Sequence, residues 1–170
     1  GPKTICVIAN DHSNTFDGVS DLRSFRKLVT NLKDEQLRSF TMYGETDALL
    51  DITSEVSVSL KRHISKICVS SIKTLFDGTP YAGKELTDAK LYLLNVHGEK
   101  TIANNAPSPA TPLVLNEKKV DGNDVNSLSE AYMIYEPLGE NIDDTGTETP
   151  HYLYCYSNQT SDLERCTKVV

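Results

Sequence analysis

Between Ile5 and Ala9 the chain reads ICVIA, apolar throughout and polar on both flanks. Such a run suits a strand buried on both faces, as in the interior of a parallel sheet. A polar stretch follows from Asn10 to Gly18. Ser20 then stands in N-cap position, and Leu22, Phe25, Leu28, Val29 and Leu32 recur at helical spacing. Strand, loop and amphipathic helix in that order open an α/β fold.

The pattern continues along the chain. Phe40 and Met42 alternate with polar residues up to Gly44, which predicts a strand near 38–43, and Ala48 to Ile52 reads as a short third strand. From Ser54 the positions Val56, Leu60, Ile64, Ile67, Cys68, Ile72, Leu75 and Phe76 step by three or four, the strongest helical signal in the chain. Asp77-Gly78 ends it. On this helix Lys61, Arg62, His63 and Lys66 form a solvated polar side. Leu91 to Val96 is another central-strand pattern, and the proline-bearing stretch Ala103 to Pro112 reads as a loop. Val125 to Ala131 reads as a short helix, Tyr132 to Tyr135 and Tyr152 to Tyr156 as the last strands, and Ser161 to Val170 as a closing helix. The expected fold is therefore α/β: a doubly wound, mainly parallel sheet of about six strands with helices on both faces. Gly1-Pro2 reads as a cloning scar, and 3–170 as a single α/β domain. In such sheets the binding site lies beyond the carboxyl ends of the strands.

Composition narrows the function classes. Seventeen Lys and Arg against twenty-four Asp and Glu give a net charge of −7, with no basic surplus to neutralise the phosphates of a nucleic acid. No apolar stretch approaches the roughly 20 residues that cross a bilayer, so no membrane span is expected. The four cysteines, Cys6, Cys68, Cys155 and Cys166, show no zinc spacing. Buried free thiols are expected, with a disulfide left open. The sequon Asn158-Gln159-Thr160 would accept a glycan in a secreted protein. The compartment stays open, an extracellular or cell-surface place being slightly favoured.

Asp11-His12-Ser13-Asn14-Thr15 puts a carboxylate and two hydroxyls at alternate positions directly after the first strand. Hard divalent cations such as Mg²⁺ take oxygen ligands of this kind. D-x-S-x-T after the first strand, followed by an amphipathic helix, resembles the von Willebrand factor type A domain and its metal-ion-dependent adhesion site. That resemblance implies Asp11, Ser13 and Thr15 as metal ligands, with Thr79 of Gly78-Thr79 as a further one. Where the family carries an aspartate in a D-G pair, this chain has His97-Gly98. The implied site is degenerate, with no cofactor or only weakly bound Mg²⁺.

A His-Gly at one strand end and a cysteine in a later apolar strand also resemble the caspase-like, or clan CD, cysteine proteases. That resemblance implies His97 assisting a Cys155 thiolate. Gly78 to Lys84 (GTPYAGK) begins like a phosphate-binding loop, but Glu85 stands where Mg²⁺ needs a Ser or Thr hydroxyl, and nucleotide hydrolysis is set aside. Alternate tyrosines at Tyr152, Tyr154 and Tyr156 suit either a protein-contact surface or packing under a helix. The expected function is a protein-binding, adhesion or interaction module using the carboxyl-end face of its sheet, with a protein partner. The alternatives are a caspase-like protease or inactive relative acting through His97 and Cys155, and an α/β scaffold domain with no small-molecule site.

Overall fold

In the computed structural model every strand ladder among the described residues is antiparallel. The structure describes residues 1–14, 16–49, 55–103, 113–114 and 135–170. Its strands are β1 (Pro2–Ala9), β2 (Val29–Asn31), β3 (Met42–Leu49), β4 (Lys61–Arg62), β5 (Ile64–Val69), β6 (Lys90–Leu94), β7 (Val96–His97), β8 (Glu99–Thr101), β9 (Leu113–Val114), β10 (Tyr135–Pro137), β11 (His151–Tyr156) and β12 (Lys168–Val169). Helix among the described residues amounts to α1 (Leu22–Phe25) and one 3-10 turn at Leu32–Asp34. The doubly wound, Rossmann-like α/β sandwich expected from the sequence is thus corrected to a set of small antiparallel sheets. With it go the helices on both faces and the carboxyl-end face of a parallel sheet.

The reasons are local. The stretch expected as one long helix is rich in β-branched residues and serine, and Val56-Ser57-Val58-Ser59-Leu60 alternates with period two. β-Branched side chains lose rotamer freedom in a helix, and serine competes for backbone partners. The segment instead forms β4 and β5 and then runs extended beside 142–147, where Thr74 N donates to Asp143 O and Thr147 N to Ile72 O. The helix expected from Ser20 to Leu32 stops at Phe25. Asp21 caps it by accepting from Ser24 N at 2.6 Å, and the β-branched pair Val29-Thr30 enters β2. At the end of the chain, the expected closing helix is a turn followed by β12. Among the described residues the apolar run of β1 pairs along its whole length with β3 alone, and Ile5 to Ala9 are only half-buried. Thr15, the expected third strand beyond Leu49, the loop from 104 to 112, the helix at Val125–Ala131 and the strand at Tyr132–Tyr135 short of its last residue lie outside the described residues.

Among the described residues five sheets result, with strand orders β1-β3-β4, β10-β6-β12, β11-β5, β2-β8 and β7-β9. Three of them, β10-β6-β12, β11-β5 and β7-β9, contribute to one core. Leu91 and Leu93 of β6, Val96 of β7 and Leu153, Cys155 and Tyr156 of β11 pack with Leu32, Phe40, Leu138 and Ile142. No helix among the described residues is long and apolar enough to cross a membrane.

Candidate functional site

The chain from Lys61 to Lys66 divides two depressions by strand parity, because successive side chains of an extended chain point to opposite sides. Lys61 and His63 line a depression of about 420 Å³ together with Tyr43, Gly44 and Glu45. Arg62, Ile64 and Lys66 line a groove of about 470 Å³, whose other wall includes Arg38, Phe40 and Tyr154. Two ladders position those walls: Met42 faces Arg62 across β3–β4, and Tyr154 faces Lys66 across β5–β11. The Phe40 and Tyr154 rings meet at 5.2 Å, within the range of a favourable aromatic pair. Lys66 Nζ lies 3.6 Å from the centre of the Tyr152 ring, a cation–π contact that orients the ammonium.

The electrostatics of the groove run against those of the chain. Among the described residues three cations, Arg38, Arg62 and Lys66, line it, and no carboxylate does. Among the described residues none of the three enters an ion pair. Exposed Leu37 adds apolar surface at the groove. The neighbouring depression is different. Tyr43 donates to Glu45 Oε2 at 2.6 Å, and Arg26 lies 3.3 Å from the same oxygen. The Tyr43 bond, helped by Arg26, holds the Glu45 carboxyl below the usual range, while burial and then the Glu45 bond push the Tyr43 hydroxyl up. Gly44 is required here, since a Cβ would overlap the Ser59 carbonyl oxygen.

Beneath both lies a buried polar centre. Tyr156 donates to Glu35 Oε1 at 2.9 Å, and Thr41 N donates to Glu35 Oε2 at 2.9 Å. Lys100, 1% exposed, donates to Ser157 Oγ at 3.0 Å and to His63 O at 3.2 Å. Burial pushes its ammonium down to about 8. His63 is 3% exposed, and its Nδ1 has no hydrogen-bond partner; burial first, then Lys100, pushes it down to about 4. The solvated place expected for His63 is therefore corrected to a buried one.

The expected metal loop is a hydrogen-bonded turn. Asp11 Oδ1 accepts from Ser13 N at 2.9 Å and Oδ2 from Asn14 Nδ2 at 2.8 Å. Ser13 Oγ donates to Asp34 Oδ2 at 3.1 Å and accepts from Asn31 N at 3.0 Å. Thr79 bonds Phe76 O within its own turn at 2.7 Å, and Thr15 lies outside the described residues. The structure brings Asp11 and Ser13 together but spends their oxygens on the loop. Among the described residues no three His, Cys, Asp or Glu side chains are placed to hold a metal ion.

His97 and Cys155 lie on neighbouring strands, β7 and β11. Burial pushes the His97 ring down, and its buried Nδ1 has no hydrogen-bond partner among the described residues. Cys155 is buried among core residues, and burial pushes its thiol up to about 11. A protonated, covered sulfur is a poor nucleophile. All four cysteines are free, with Cys68 exposed. At the sequon, Asn158 Nδ2 donates to Asn95 O at 3.0 Å and to Arg165 O at 2.7 Å, so both amide hydrogens are already engaged.

Sequence reasoning did not assemble the groove, since its walls come from 38–42, 62–66 and 154. The signal was present in Arg62-x-Ile64-x-Lys66, where period two puts two cations and an apolar residue on one side. Compared with known proteins, the chain matches no family model, no curated protein and no solved structure.

Proposed function

We propose that this chain is a protein-binding module whose groove between the 38–42 and 62–66 segments takes an acidic segment of a partner protein. The supporting observation is the gathering of Arg38, Arg62 and Lys66 around Phe40 and Tyr154, with no carboxylate in the lining among the described residues, on a chain of net charge −7. Cations at a rim mainly set partner choice and association rate, while a desolvated aromatic supplies the binding energy. A long polyanion fits less well, because the excess negative charge of the whole molecule repels it once it extends past the groove. The cysteine-protease alternative finds no support in the burial and protonation of Cys155.

Fluorescence anisotropy with short labelled peptides tests this reading. A glutamate-rich peptide carrying one aromatic residue is expected to bind, and its lysine counterpart to bind far less. Affinity should fall with added salt, which screens exposed charges over about 10 Å at ~0.1 M. Arg62→Glu replaces attraction with repulsion and is expected to weaken binding about tenfold. Equal binding of the glutamate and lysine peptides would overturn the proposal.

A further inference from the structure

We infer that the groove takes a phosphotyrosine side chain of the partner segment, its phosphate among the cations and its ring on the aromatic wall. This rests on the acidic-segment reading above and names the residue that the groove recognises. The first observation is charge. Arg38, Arg62 and Lys66 line one groove of about 470 Å³, with no carboxylate among the described lining residues. A glutamate brings a single negative charge, whereas a phosphate brings about −1.5 to −2 and three strong acceptor oxygens. Each guanidinium presents a planar fork of donors that fits phosphate oxygens two at a time. A groove with two such forks and an ammonium has more donors than one carboxylate can use.

The second observation is the wall that carries the charges. Lys66 faces Tyr154 across the β5–β11 ladder, where directly opposed side chains stand about 5 Å apart at their Cβ atoms. Arg38 is two residues from Phe40 in the chain, and the Phe40 and Tyr154 rings meet at 5.2 Å. Cations therefore border the ring pair, and one side chain with an anion on an aromatic ring meets both. Glutamate and phosphoserine reach the cations but leave the rings without a partner. The volume agrees, since about 470 Å³ lies in the range of roughly 300 to 1,000 Å³ seen for ligand sites. Lys66 is already oriented by the Tyr152 ring, so less side-chain freedom is lost when it pairs with the phosphate.

One labelled peptide with a single varied position separates the outcomes by anisotropy: phosphotyrosine, tyrosine, sulfotyrosine, phosphoserine, glutamate or lysine. The phosphotyrosine peptide is expected to bind about tenfold more tightly than the tyrosine peptide, and about fivefold more tightly than the other three anionic ones. Arg38→Gln and Arg62→Gln, both at exposed positions, should each shrink the advantage over tyrosine while leaving the tyrosine peptide's own affinity unchanged. Phosphoserine binding as tightly as phosphotyrosine would remove the ring from recognition. Glutamate or sulfotyrosine binding as tightly would remove the need for a doubly charged group. Either result overturns the inference while an acid-selective groove stands. Failure of every anionic peptide to exceed the lysine control would overturn both.

Discussion

His63 shows what one buried side chain does to the pH response of this protein. Its backbone is tied into the fold, N–H to Thr41 O at 3.1 Å and C=O to the Lys100 ammonium at 3.2 Å, so the ring has little freedom to move to water. The folded protein protonates this ring only near pH 4, the unfolded chain near 6.5. Between those values the unfolded state binds more protons, so stability is full above pH 6.5 and is lost as pH falls toward 4. At 1.36 kcal/mol per unit the loss is about 3 kcal/mol. His63→Gln keeps the backbone bonds and removes the titration. Urea unfolding at pH 7 and pH 4.5 is expected to show the variant losing less stability than the parent by about that amount. His97, whose ring burial also pushes down, leaves a residual acid sensitivity in both. An unchanged difference between the two proteins would show that the His63 ring reaches water in the folded state.

Among the elements, the corner between β6 and β7 carries more than its length suggests. Asn95 turns the chain with φ +57°, in the left-handed region, which asparagine tolerates better than most residues. Its Nδ2 donates to Glu164 O at 2.9 Å and Cys166 O at 3.0 Å, and its carbonyl accepts from Asn158 and Thr167. One residue thus ties β6 to the tail that forms β12. Asn95→Ala removes both side-chain bonds and adds left-handed strain, at a cost of about 3 kcal/mol. Asn95→Gly removes the bonds but not the conformation and is expected to cost less; chemical denaturation of the two variants separates the contributions. Part of this was legible in the sequence: Tyr152–Tyr156 falls inside β11, while the strand expected from Leu91 to Val96 covers most of β6 but runs through the turn at Asn95 into β7. The helices were not. Steps of three or four through Val56 to Ile72 also satisfy the alternation of an extended chain, and serine and β-branched content tips the balance toward strands. The candidate groove was hidden for the same reason. Arg62 and Lys66 share a side with Ile64 in a strand, whereas a helix separates Ile64 from both as the apolar face.

Across the whole molecule, Lys100 and Cys155 set an alkaline response that neither would give alone. Lys100 on β8 reaches His63 O before β5 and Ser157 after β11, with its Nζ 5.7 Å from the centre of the Tyr156 ring, so three parts of the chain meet at one buried ammonium. Folded, it titrates near 8, against 10.5 in the unfolded chain. Between these values the unfolded state holds the extra proton, and stability rises with pH by up to about 3 kcal/mol. Cys155 acts in the opposite sense. Its thiol titrates near 11 folded and 9 unfolded, so between 9 and 11 the folded state holds the extra proton and stability falls with pH. The raised Tyr43 and Tyr156 hydroxyls add to that fall above pH 10. The two windows overlap from 9 to 10.5 and nearly cancel there, leaving a net rise only from 8 to 9. Urea midpoints of the parent protein should therefore climb between pH 7.5 and 9 and level off beyond. Cys155→Ala is expected to prolong the climb toward pH 10, and Lys100→Met to abolish it, each read as a change with pH so that the packing cost of the substitution drops out. A parent midpoint that stays flat from pH 7.5 to 9, or a Lys100→Met variant that still climbs, would place the Lys100 ammonium in contact with water and not in the centre of the fold.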